Sequence, residues 1–142
     1  MQDRFKDFTV LISRASRCIK KLKSDKMNEF NLKGPHVYVL YYLRAYGSLT
    51  ASQLCELCND DKALLSRSID HLEENGYITR DTSSKRYRSK IQLTPKGEVV
   101  AEKMVELVGE VVDEASRGLS QENRAIMYES LALVCDNLEK MC

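Results

Sequence analysis

The sequence has no uninterrupted apolar stretch of the about 18 residues that a membrane-spanning helix requires. Its opening residues, MQDRFKDF, lack the apolar core of a secretory signal peptide. No internal repeat or low-complexity tract interrupts the 142 residues. We therefore expect a cytoplasmic protein, and a hydrophobic content of 43% allows one domain, or one domain with an extension, to bury a sizeable core.

The cysteine and histidine patterns argue against a disulfide framework and a metal site. Five cysteines are an odd number at scattered positions, which is typical of a reducing compartment. Cys55 and Cys58 form a C-x-x-C motif, but late in a short helix, so core packing is favoured over redox chemistry. The only histidines, His36 and His71, lack the spacing that would complete a zinc site. We expect no metal and no cofactor.

Residues 61–94 combine a compact helix with two short strands. Leu65, Ile69 and Leu72 recur at steps of four and three, which predicts one buried helical face. The glycine of Asn75-Gly76 is suited to end this helix, and Ile78 and Ile91 begin β-prone stretches on either side of a polar loop. The period leaves an outward face on the helix, and we assign to it Ser66, Arg67, Ser68 and Asp70.

The hairpin that these strands form is strongly basic. Residues 79–90 contain five Lys or Arg and one Asp, a local charge of +4. Such a density of cations indicates an anionic partner with a matching repeat, and the nucleic-acid backbone is the best candidate. A solvated ribbon is the alternative. The helix that precedes the hairpin favours DNA, because it supplies an element that enters a major groove.

The remaining helices have clear start signals. Gly34-Pro35, Thr94-Pro95 and Ser120 each begin a helix, and Thr50 with Gln53 forms a capping box. The first and last helices carry apolar stripes that a small domain leaves uncovered, which predicts a partner subunit. The predicted fold is mostly α with a small β-hairpin wing, in three parts: a dimerisation helix (1–33), a winged helix-turn-helix lobe (34–94) and C-terminal dimerisation helices (95–142).

Three stretches of this sequence resemble the MarR family of transcriptional regulators: LTASQLCELCNDDKALLSR (49–67), HLEENGYITR (71–80), and Arg86 with IQLTPKG (91–97). The resemblance implies a homodimer on a palindromic double-stranded operator, with recognition helices in major grooves and wings in minor grooves. Two positions depart from the family. Lys85 replaces an Asp that braces the wing, and Ala63-Leu64 replace residues that often carry hydroxyls. The expected DNA contacts are Thr50, Ser52, Gln53, Lys62, Ala63, Leu64, Ser66, Arg67, Lys85, Arg86 and Arg88.

The resemblance also implies a small phenolic or carboxylic effector, with Arg17, His36 and Tyr38 as conceivable contacts. Sensing of oxidants is a second option. Cys18 is the better redox candidate because Arg14, Arg17 and Lys21 surround it, although the family's peroxide-sensing position corresponds to Thr9. We expect a repressor that an effector or oxidant releases from DNA. The alternatives are a winged-helix module that binds protein, or a C-x-x-C thiol oxidoreductase, which is disfavoured because no βαβ pattern surrounds the motif.

Overall fold

The computed structural model describes residues 2–58, 61–82 and 88–142. This part of the chain is mostly helical with a small three-stranded antiparallel sheet, which confirms the predicted fold class. No helix in it is both long and apolar enough to span a bilayer. The helices are α1 (Leu11–Met27), α2 (Gly34–Tyr46), α3 (Ala51–Cys58), α4 (Lys62–Glu74), α5 (Pro95–Ala115) and α6 (Gln121–Met141), and the strands are β1 (Ser48–Leu49), β2 (Ile78–Arg80) and β3 (Ile91–Leu93).

Local capping interactions set most helix starts at the predicted residues. The Thr50 hydroxyl accepts a hydrogen bond from the Gln53 amide at 3.2 Å, and the Gln53 side chain accepts one from the Thr50 amide at 2.9 Å. Ser120 caps α6 by accepting from the amide of Asn123 at 3.1 Å. Pro95 occupies the first turn of α5, where its missing N–H costs no hydrogen bond.

The first helical segment is irregular at both ends. Phe5–Val10 form a π-helical turn before α1, and α1 ends at Met27. A 3₁₀ turn, Asn28–Phe30, follows, and Asn31 then takes a left-handed conformation with φ of 57°. We call residues 28–33 the α1–α2 connection.

The sheet has one strand more than the predicted hairpin. Strand order is β1-β3-β2, with Ser48 opposite Gln92 and Ile78 opposite Leu93. Strand β1 was not predicted, because two residues are too few to show an alternating pattern.

The core lies where α2, α3 and α4 pack on one another and on the sheet. Leu40, Leu54 and Leu72 are fully buried there, one from each helix. The core also contains Ile91 of β3 and Met104 of α5. This packing fixes the orientation of α4 and therefore determines which of its side chains reach solvent.

The chain divides into two compact units, Met1–Val108 and Gly109–Cys142. The first contains the core described above. In the second, the end of α5 and α6 are joined through Gly118, whose φ of 94° suits glycine. Arg124 of α6 pairs with Asp113 of α5 at 3.2 Å. The three-part division at residues 33 and 94 stays a prediction.

Candidate nucleic-acid interface

Helix α4 presents a polar face on the side opposite its core contacts. Asp61 caps it by accepting from the amide of Leu64 at 2.7 Å. Leu65, Ile69 and Leu72 face the core, as the period predicts. The first turns thus place a ridge of small and cationic side chains in solvent. The exposed residues of this ridge are Lys62, Ala63, Ser66 and Arg67, and Leu64 beside them is half-buried.

Ser68 corrects the predicted outward face. It is buried, and its hydroxyl donates to the carbonyl of Leu64 at 3.0 Å. Its position explains this, because Ser68 lies three residues after Leu65 and four before Leu72, on the same face as both. A buried hydroxyl satisfied within its own helix is a structural element and is not available to a ligand.

Helix α3 precedes the ridge and contributes three of the expected contacts. Ser52 is exposed, whereas Thr50 is half-buried. The hydroxyl of Thr50 and the side-chain oxygen of Gln53 are committed to the capping box. The Gln53 amide nitrogen and the Ser52 hydroxyl are therefore the groups that this end of α3 offers to a phosphate.

The wing contributes two exposed cations within the described residues, Arg88 and Lys90. Lys85 and Arg86 lie outside the described residues. Arg80, which contributes to the +4 charge of the hairpin, has a structural role instead: it bonds Asp70 at 2.9 Å and Glu73 at 3.1 Å, and its side chain is only 13% exposed. Sequence reasoning missed this role. The available signal was a pair of carboxylates three residues apart on α4, followed by an arginine in the next strand.

Three comparisons bear on this geometry. Residues 30–86, which contain α2 to α4 and strand β2 of the wing, match the sequence model of the MarR family. Over this segment the chain is similar to the MarR family. An uncharacterized HTH-type transcriptional regulator of Bacillus subtilis (strain 168), YwoH, is 29% identical over 87 residues, covering 61% of this chain and 64%, just under two thirds, of YwoH.

Solved MarR-family structures share the fold. A regulator from Silicibacter pomeroyi DSS superposes with a TM-score of 0.82 at 22% identity, covering 96% of this chain and 93% of its own. Staphylococcus aureus MepR, solved in complex with DNA, superposes with a TM-score of 0.79 at 22% identity, covering 96% of this chain and 99% of its own. The predicted MarR resemblance is confirmed, and the matching family and relative are transcriptional regulators, not enzymes.

A cavity of about 640 Å³ lies between α1 and α2. Tyr38, one of the predicted effector contacts, lines it, and the ammonium group of Lys23 donates to the Tyr38 hydroxyl. Lys20 and Lys33 add two more cations to a wall whose single carboxylate is Asp25 among the described lining residues. An electropositive cavity with an aromatic wall is suited to an organic anion.

The other two predicted effector contacts lie elsewhere. Arg17 is exposed on α1, outside the described lining of this cavity. His36 is buried and stacks on His71, with ring centroids 4.4 Å apart. Burial, then the neighbouring charges of His71 and Lys33, lower the pKa of His36 to about 4. The ring is therefore neutral at physiological pH.

The cysteines differ in environment. Cys55 and Cys58 are partly buried and pack against the core, in agreement with their predicted packing role. Cys18 is exposed on α1. Within the described parts of the chain, no three His, Cys, Asp or Glu side chains are grouped so as to hold a metal ion.

Proposed function

We propose that this protein is a homodimeric, sequence-specific DNA-binding transcriptional repressor. The observation that carries the proposal is the exposed ridge of α4, with Ser66 and Arg67 displayed by a helix whose opposite face is fixed in the core. A helix of this kind is the element that reads base edges in a major groove. The exposed wing cations Arg88 and Lys90 add phosphate attraction.

Duplex DNA binding tests the proposal directly. A site is first selected in vitro from genomic DNA of the source organism, and its affinity is then measured by fluorescence anisotropy over a range of salt concentrations. We expect Arg67→Ala to weaken binding about tenfold or more, since a good side-chain contact to a base contributes about 1–3 kcal/mol. If Arg67 contacts a phosphate instead, the slope of log affinity against log salt falls by about one.

The matched control is Arg44→Ala. It removes the same charge from α2, beside Glu98 and Glu102 of α5, and we expect binding to stay within twofold of wild type. Absence of salt-dependent duplex binding in the wild-type protein would contradict the proposal and favour the winged-helix protein-interaction module.

The dimer rests on apolar surface that the single chain leaves in solvent. On α1, Ile19 is 51% exposed, and on α6, Leu131 and Leu138 are each 44% exposed. Each belongs to an apolar stripe that steps by three and four residues: Phe5, Phe8, Ile12, Ala15, Ile19 and Leu22 in the first helical segment, and Met127, Leu131, Val134, Leu138 and Met141 on α6. A regular stripe of this kind is the pattern of a surface that a second copy covers. Two recognition helices on one dimer then read the two halves of a palindromic operator.

The effector of the proposed repressor is a small phenolic or carboxylic acid bound in the α1–α2 cavity. Its carboxylate is attracted to Lys20, Lys23 and Lys33, and its ring packs on Tyr38. Isothermal titration with 4-hydroxybenzoate is the first test, with Lys23→Gln as the variant that loses affinity and Lys6→Gln as the control. Equal affinity for both variants would exclude this cavity as the site.

A further inference from the structure

The α1–α2 connection is held in place by two side chains, His71 of α4 and Tyr77 immediately before β2. The His71 ring donates through Nε2 to the carbonyl of Asn31, with the two atoms 2.7 Å apart. The Tyr77 hydroxyl donates to the neighbouring carbonyl of Phe30 at 2.9 Å. His71 also lies four residues after Arg67, on the same side of α4 as that residue of the exposed ridge.

His71 is in turn stacked on His36 of α2. The ring centroids are 4.4 Å apart, and the ring planes differ by 11°. Nδ1 of His36 accepts a hydrogen bond from the amide of Lys33 at 2.9 Å, which closes the first turn of α2. An imidazole nitrogen that accepts a hydrogen bond carries no proton, so this geometry requires His36 in its neutral form.

The charged groups around His36 oppose a proton on it. Lys33, from the start of α2, and His71, from α4, act on the ring, and both lower the pKa of His36 after the larger effect of burial. Asp70 and Glu73 of α4 are engaged by Arg80 of β2. Protonation of Nδ1 would leave the Lys33 amide without its acceptor and place a positive charge against the His71 ring.

We propose that His71 is a positioning residue for DNA binding, which holds α4 against the α1–α2 connection only while His36 is neutral, so that mild acid loosens the recognition helix. The proposal rests on the proposed DNA-binding function. The chain has only two histidines, and both are in this pair.

The sign of the effect follows from the pKa of His36. The value is about 4 in the closed state and 6.5 once the ring is released into water. Stability from this junction is fully present above pH 6.5 and is lost as the pH falls towards 4, because only the open state binds the proton. Between pH 7.5 and 5.5 the equilibrium constant for opening increases about tenfold.

Hydrogen exchange and DNA binding test the proposal on the full chain. The protection factor of the Lys33 amide, corrected for the intrinsic exchange rate, is expected to fall about tenfold from pH 7.5 to 5.5 in the wild type. The dissociation constant for the selected duplex is expected to rise over the same range at constant ionic strength. Circular dichroism at each pH confirms that the protein stays folded.

Two variants separate the effect of protonating His36 from the loss of the hydrogen bonds that the two histidines make. In His36→Asn the side-chain oxygen replaces Nδ1 as the acceptor for the Lys33 amide and does not titrate. In His71→Gln the side-chain amide replaces Nε2 as the donor to Asn31. Each variant is expected to bind DNA like wild type at pH 7.5. His36→Asn is expected to lose most of the acid response, whereas His71→Gln is expected to keep most of it, because His36 still titrates. His71→Ala, which lacks the donor, is expected to bind more weakly at both pH values.

An unchanged protection factor in the wild type, or an equal acid response in His36→Asn, would overturn the proposal. Failure of the DNA-binding function is a separate result. In that case no duplex binding is seen at any pH, while the exchange profile of Lys33 still reports whether the histidine pair opens.

Discussion

Gly97 lies where the first turn of α5 meets the backbone of Tyr77. A Cβ placed at Gly97 would be 1.9 Å from the Tyr77 carbonyl oxygen, so no side chain fits without moving the backbone. Gly109, later in α5, has no atom of the described chain within 4 Å of the same position. The two glycines share a helix but differ in what an alanine would meet, which makes them a matched pair.

We predict opposite effects of the same substitution at these positions. Gly97→Ala lowers the free energy of unfolding by about 1–3 kcal/mol, because overpacking forces the backbone apart. Gly109→Ala raises it by about 0.5–1 kcal/mol through the better helix propensity of alanine. Urea denaturation followed by circular dichroism, at one protein concentration, measures both. A Gly97→Ala protein as stable as wild type would show that α5 and Tyr77 do not approach as closely as described.

Capping is the interaction that decides where the helices begin, and it is why those starts were predictable. Thr50 with Gln53, Thr94 with Pro95, and Ser120 each act within a few residues, so the sequence contains the whole interaction. Strand β1 depends on pairing between residues 48 and 92, which no local pattern records. In the candidate site, too, local features were predictable from the sequence and contacts between distant residues were not.

The exposure of Ser66 and Arg67 follows from the helical period alone, and the structure agrees with it. The pairing of Arg80 with Asp70 was not predictable, because it depends on how β2 crosses α4. The stacking of His36 on His71 joins two helices that are far apart in sequence. Contacts of this kind are set by tertiary packing and leave no periodic signal in the sequence.

The N-terminal cap of α4, the proposed recognition helix, can be tested by mutation. Asp61→Ala removes the acceptor of the Leu64 amide and is expected to lower the free energy of unfolding by about 1 kcal/mol. Asp61→Ser keeps an oxygen in the capping position and is expected to retain most of that stability. Chemical denaturation of the two variants side by side gives the difference. Equal stability of Asp61→Ala and wild type would show that the Asp61 cap does not stabilise the start of α4.

The whole protein is expected to be a dimer of obligate type, with an interface on the order of 2,000 Å² or more. Light scattering at micromolar concentration should give twice the chain mass. The double variant Leu131→Asp with Leu138→Asp places two charges in the α6 stripe and is expected to be monomeric. Leu133→Asp is the matched control, since Leu133 is 61% exposed but lies off the stripe, and it should remain dimeric. If the double variant is still a dimer, the α6 stripe is not part of the dimer interface.

The two carboxylates that hold Arg80 link the strand at the root of the wing to the recognition helix. The arginine fork bonds both at once, so β2 cannot pivot without breaking two charged hydrogen bonds on α4. Helix α4 and strand β2 therefore move together, with a fixed distance between them. Consider an operator in which extra base pairs separate the bases contacted by α4 from the phosphates beside β2. The protein could then keep only one of these two DNA contacts. The protein is thus expected to tolerate changes of base better than changes of spacing.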